Sequence, residues 1–240
     1  NLTLLLNCSC LDAEMSDGRL RRVTGWQLTT QTWHSVRAEL FADCSGDAVL
    51  APLTGASYRH GREGRQEFDE SLAPETPDDK TMGHSYILYT KPHEQPMPFQ
   101  PFPWARRYES CEELPFGAPG HGFWLYSPWW CEKGGERDTI HDTEELRDEL
   151  FKVTMGVWDH IKNRCEHSAE ARNWAIDRQQ FVPGRRESRR YVGAHVLNQN
   201  DIDAGGAFDD VVAYGGWTMD IHHPAGVDSF AEDGEPPTVH

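Results

Sequence analysis

Three segments of this 240-residue chain carry residue types at spacings that could do chemistry. The first is Asp43-Cys44-Ser45-Gly46-Asp47, set between a β-prone run and the helix-like Ala48-Val49-Leu50-Ala51. A small, Gly-containing turn between strand and helix lets backbone N–H groups approach a ligand closely. The same residues also read as a Ser-capped helix start. The second segment, Arg185-Arg186-Glu187-Ser188-Arg189-Arg190, has five charges in six residues, four of them Arg. On a strand, Arg186, Ser188 and Arg190 share one face and Arg185, Glu187 and Arg189 the other. Guanidinium forks suit carboxylates and phosphates, although a salt-bridged, solvated strand has the same composition. The third is Asp220-Ile221-His222-His223-Pro224, which follows Gly215-Gly216. A His in such a place could act as acid or base, or sit in the core or on the surface with no such role.

Other chemistry is missing from the pattern. There is no Walker A sequence, no HExxH and no GxSxG. The nearest approach to GxGxxG is Gly120-His121-Gly122, with Leu125 where the third Gly belongs. Six cysteines (Cys8, Cys10, Cys44, Cys111, Cys131 and Cys165) form no CxxC and no Cys/His pair at zinc-finger spacing. Reduced, partly buried thiols and no metal site are expected. Glu112-Glu113, Glu144-Glu145 and Asp209-Asp210 are adjacent carboxylates, which point apart on a strand and are not by themselves a glycosidase pair. The net charge of −16 repels phosphate backbones and anionic lipid, which argues against nucleic-acid and membrane-surface partners. No apolar run approaches the ~18 residues of a membrane-spanning helix.

The elements that must position these segments can be read from periodicity and turn chemistry. Alternating Leu2, Leu4 and Leu6 begin a β-rich start, and Ser16-Asp17-Gly18 marks a tight turn. With β-prone runs at 19–30 and 36–44, this predicts an antiparallel meander whose third strand leads directly into the Asp43 turn. Pro52 lies well past the first turn of a helix capped by Ser45, and should shorten or kink it. Residues 57–80 read as a charged, solvated loop or a helix followed by a loop, 82–90 as a strand, and 92–103, with five Pro, as an extended connector. Residues 123–131 are dense in aromatics. Leu146, Leu150, Val153, Val157 and Ile161 recur at helical spacing, so 143–163 is predicted as a helix, N-capped by Asp142 with Glu145 at the capping-box position. Residues 172–180 fit helix or strand, 191–196 a strand, 198–207 a polar loop, and 231–240 a fraying tail.

Taken together, the motifs resemble the FAD-dependent oxidoreductase family often labelled "xanthan lyase related". The matching stretches run in family order: the Asp43–Asp47 turn through Thr54-Gly55-Ala56, Arg62-Glu63-Gly64-Arg65, Thr81-Met82-Gly83, Asp138-Thr139-Ile140, residues 145–150 and 156–163, Pro183 to Arg190, Ala213 to Trp217, and Asp220-Ile221-His222. The family's Asp-x-Thr-Gly-Asp-Gly pattern stands here with Ser45 for Thr and Ala48 for Gly.

The resemblance implies a mixed α/β chain forming part of an FAD/NAD(P)-binding fold. Residues 1–56 would be its β-meander and strand–turn–helix, 57–210 a substrate-side domain, and 211–240 the return towards the FAD domain. Family members begin with a strand–GxGxxG–helix and end with a segment closing the flavin site. Neither is visible here, so an internal fragment, inactive alone, is expected. The resemblance also implies FAD as cofactor, with Asp43, Ser45, Gly46, Asp47, Arg186 and Glu187 at its binding site. His222 would be the catalytic base. Arg189 would anchor an anionic or polyhydroxyl small-molecule substrate, sugars and hydroxy acids being candidates for hydride transfer to flavin. A carbohydrate-active lyase or hydrolase, or a non-catalytic binding domain, are the competing readings.

Overall fold

The computed structural model describes residues 2–115, 129–229 and 238–239. The chain divides into two units, Asn1–His60 with Arg189–Asn198, and Gly61–Ser188 with Gln199–His240. Its sheets are small and antiparallel, one three-stranded and four two-stranded, with few helices among the described residues. This is the mixed α/β character expected of part of an FAD-binding fold. Among the described residues no helix is long and apolar enough to cross a membrane.

In the first unit, β1 (Cys8–Ser16), β2 (Arg19–Gln27) and β3 (Thr32–Arg37) form the meander. The hairpin closes at Ser16↔Arg19 across Asp17 (φ 53°) and Gly18 (φ 70°), the left-handed pair that a two-residue turn with strand-compatible twist demands. The third strand comes earlier than the alternation at 36–44 suggests. The short connection 28–31 fixes the register, so pairing starts at Gln27↔Thr32 and ends at Arg22↔Arg37. Residues 38–44 then run on outside the ladder to the Asp43 turn.

Helix α1 (Leu50–Thr54) packs on β1 and ends at Gly55, whose left-handed backbone returns its N–H to the Ala51 carbonyl at 3.0 Å. The shortening or kink expected at Pro52 presumes a helix that starts just after Ser45. The helix starts at Leu50, so Pro52 stands in the first turn, where its missing N–H has no intrahelical partner to lose. Residues after 188 rejoin this unit through β9 (Arg190–Tyr191), paired with β4 (Tyr58–Arg59) and shorter than the strand expected at 191–196.

The second unit is built on the long helix α3 (Thr143–Asn163), with the boundaries that periodicity predicts. Val153 to Ile161 are all buried, so this half of the helix is enclosed on every side. Around it pack Leu88, Tyr108, Leu114, Trp130, Cys131 and Val227. The expected cap differs. Asp142 makes no capping bond; its carboxylate accepts from Arg137 Nε at 3.1 Å, and Glu145 and Glu149 accept from the same guanidinium at 2.6 and 3.0 Å. One cation thus gathers three carboxylates of the first turns.

The segment read as a strand at 82–90 splits into β5 (His84–Ser85) and β6 (Leu88–Pro92). β5 pairs with β7 (Glu132–Lys133), and β6 with β8 (Trp174–Gln179), which settles the ambiguous 172–180 stretch as a strand. Short helices occupy Arg65–Phe68 (α2) and Gln199–Asp203 (α4), the latter where a loop was expected. Thr238–Val239 (β11) pairs with Ile221–His222 (β10), and the rest of the segment 231–240 read as a fraying tail lies outside the described residues. The Gly120-His121-Gly122 stretch, Phe123, Trp124 and Tyr126 lie outside the described residues.

Gly156 is the point at which the chain before the helix crosses α3. A Cβ there would stand 1.9 Å from the Arg106 carbonyl oxygen. Gly156→Ala should therefore destabilise the protein by about 1–2 kcal/mol, because overpacking outweighs the ~1 kcal/mol gain in helix propensity. Chemical denaturation would show it, and a stabilised variant would mean that the crossing is not tight.

Candidate functional site

In the first unit the Asp43 carboxylate organises the turn. Oδ1 accepts the Ser45 N–H at 3.0 Å, and Oδ2 accepts the Leu50 N–H at 2.9 Å and the Tyr191 hydroxyl at 2.6 Å. Burial pushes this carboxyl up, but the bonds from Ser45, Tyr191 and Leu50 outweigh it and hold the group at about 2. Ser45 Oγ accepts the Val49 N–H at 3.1 Å. Gly46 takes φ +83° with open space where a side chain would be, so its backbone is accessible from that side. Ala48 adopts φ +48°, the left-handed conformation that a Gly would take without strain. Asp47 is buried, and its carbonyl accepts from Arg189 Nε at 2.9 Å, while the Arg189 guanidinium lies 5.7 Å from the centre of the Tyr58 ring. Beside the turn is a groove of about 830 Å³ lined by Arg19, Leu20, Glu39, Phe41, Asp43 and Tyr191, among others. That volume lies in the range of small-molecule sites.

The second unit holds a different cluster, centred on Glu132. This residue is fully buried on β7. Its Oε1 accepts from Ser85 Oγ at 3.0 Å and Arg186 Nη1 at 2.7 Å, and its Oε2 lies 2.7 Å from His222 Nδ1. Arg186 also donates from Nη1 to Ser85 Oγ at 3.0 Å and from Nε to the Met82 sulfur at 2.9 Å. On the other edge of the His222 ring, Nε2 is 3.0 Å from Asp220 Oδ2 and 3.1 Å from Arg186 Nη2. The His222 side chain is only 2% exposed, whereas Asp220 and Arg186 are 25% and 30% exposed.

This geometry couples protonation to partner choice. With Nδ1–H given to Glu132, a neutral ring accepts from Arg186 at Nε2, and an imidazolium donates from Nε2 to Asp220. Burial pushes the His222 pKa down. The hydrogen bonds to Glu132 and Asp220 and the Glu132 charge outweigh both burial and the opposing Arg186 charge, so the net shift is upward. The cluster can hold a proton at Nε2, on the ring edge that faces its two part-exposed neighbours.

Of the residues singled out by the sequence, Asp43, Ser45, Gly46, Asp47 and Arg189 are gathered in the first unit. Arg186 and His222 meet in the second, where Glu187 is half-buried beside Arg186 in the chain. The sequence reading missed Glu132, Ser85 and Asp220 as partners. The weak local signal for Glu132 is a charged residue directly after the apolar Trp129-Trp130-Cys131 and before Gly134-Gly135.

Comparison with known proteins adds one finding. The model of a family described as FAD dependent oxidoreductase matches residues 1–239. No curated protein and no solved structure matches the chain.

Two consequences of the Glu132 cluster are measurable. Glu132→Ala leaves Arg186 and His222 without their buried counter-charge and should cost about 3–5 kcal/mol in denaturant unfolding; a loss below about 1 kcal/mol would mean the ion pairs do not hold this unit together. Because the folded pKa of His222 is raised, its stabilising contribution is complete below the ordinary value of about 6.5 and is lost as pH rises through the raised one. Thermal stability should decline across that interval, and the His222→Gln protein should lack this part of the decline.

Proposed function

The chain belongs to the FAD dependent oxidoreductase family, and we propose that it serves in hydride transfer between flavin and a small substrate carrying a hydroxyl group, a sugar or a hydroxy acid. The observation that carries this reading is the Glu132–His222–Asp220 arrangement with Arg186. Oxidation of a carbinol to a carbonyl removes a hydride from carbon and a proton from oxygen. FAD, when bound, supplies the hydride acceptor. In this reading His222 takes the proton at Nε2, Glu132 fixes the ring through Nδ1–H and stabilises the imidazolium, and Asp220 passes the proton outwards. Arg186, paired with Glu132 Oε1, biases Nε2 towards its proton-accepting state.

The first unit supports the cofactor half of the reading. The open backbone at Gly46 and the adjoining groove suit a ring or a polyol. Glu39 and Asp43 in the lining accept from hydroxyls, as a ribityl chain or ribose requires. The groove is less suited to a pyrophosphate: the Val49 and Leu50 amides at the start of α1 are already bonded to Ser45 and Asp43. Arg189, bonded to the Asp47 carbonyl, acts here as a positioning residue for the turn rather than as a substrate anchor.

Anaerobic flavin reduction against a panel of sugars and hydroxy acids tests the proposal. Reduction should be slower at pH values below the raised His222 pKa, and His222→Gln should lower the rate about 10²–10⁴-fold and remove that pH limb while leaving FAD affinity unchanged. A variant that reduces flavin at the parental rate with the parental pH profile would sink the role given to His222.

A further inference from the structure

Away from both clusters, three residues far apart in sequence converge at the C-terminal end of α3. His160 lies in the last turn of the helix and is fully buried. Cys165 follows that turn, its N–H bonded to the His160 carbonyl at 2.7 Å, and is buried as well. Cys111 opens a 3₁₀ turn (Cys111–Glu113) and is half-buried. Cys111 Sγ stands 3.4 Å from His160 Nε2 and 3.6 Å from Cys165 Sγ, and all three ligand atoms lie within 4.8 Å of one another.

The 3.4 and 3.6 Å separations match two edges of a coordination tetrahedron. Zinc bonds of about 2.3 Å to sulfur and 2.0–2.1 Å to nitrogen place two tetrahedral sulfurs about 3.8 Å apart, and a sulfur and a nitrogen about 3.5–3.6 Å apart. A disulfide would need its sulfurs about 2.05 Å apart, far closer than these. The surroundings also fit. His160 Nδ1 is 3.1 Å from the Tyr108 carbonyl, which can only accept, so Nδ1 carries the hydrogen and Nε2 turns its lone pair towards the sulfurs. The His167 N–H donates to Cys165 Sγ at 3.4 Å.

We propose that Cys111, His160 and Cys165 bind a zinc-class divalent ion, with water as the fourth ligand. Binding would convert both thiols to thiolates and release two protons per ion. It would also tie the 3₁₀ turn to the end of the buried helix, 54 residues away in sequence, making the ion a staple of the second unit.

Cobalt(II) titration of the chemically reduced, metal-free chain tests this, read as a difference spectrum against the zinc-loaded protein so that flavin absorbance cancels. A cobalt–thiolate charge-transfer band should saturate at one ion per chain, with two protons released, and equimolar zinc should abolish it. Cys111→Ser is the mildest ligand variant because Cys111 is half-buried, and it should weaken cobalt binding by at least about tenfold, since the loss of a ligand's supporting partner alone costs that much. Cys44→Ser, in the other unit, should leave the titration unchanged. Absence of the band, its persistence in both Cys111→Ser and Cys165→Ser, or its loss in Cys44→Ser would overturn the assignment.

Discussion

A carboxylate taken fully out of water must be answered by charge and hydrogen bonds, and Glu132 imposes that constraint on the second unit. Its two oxygens draw in Ser85 from β5, Arg186 from the Arg-rich segment and His222 from β10. Three separate stretches of chain are thereby held around one side chain. Asp220 and Arg186 both border Nε2 of His222, so the pairs that satisfy burial also decide which partners that nitrogen has. The same low-polarity setting that penalises an unpaired charge strengthens a paired one.

The first unit solves a smaller problem in the same manner. The Asp43 carboxylate takes three donors, two from the backbone of the following turn and one from Tyr191, and so fixes where α1 begins. That start explains why Pro52 is tolerated, and why Ala48 is held in a conformation more natural to Gly. The turn is left with an open backbone at Gly46 beside a groove of ligand size. Satisfying the helix start from within also removes donors that a phosphate would otherwise use.

At the far end of α3, enclosure of the helix brings a histidine and two cysteines together without any local motif. An acidic, Trp-rich chain thus has its polar chemistry collected at a few enclosed points, each formed where segments cross.

Much of the scaffold was legible in local pattern. The apolar stripe from Leu146 to Ile161 specified α3 because period 3.6 needs only neighbouring turns to express itself, and Asp17-Gly18 specified the first hairpin because two left-handed residues define its twist. The order of the motifs indicated the FAD-dependent family, and Arg186 and His222 each stood out singly. Tertiary structure alone decided which groups they meet. Glu132 lies 54 residues from Arg186 and 90 from His222, and no periodicity spans such distances. The β3 register, the replacement of the Asp142 cap by an Arg137 clamp, and the meeting of Cys111 with His160 and Cys165 were likewise hidden. The reason is physical: backbone periodicity and turn chemistry are satisfied within a few residues, while a buried charge or thiol is satisfied by whichever distant group the packing brings to it.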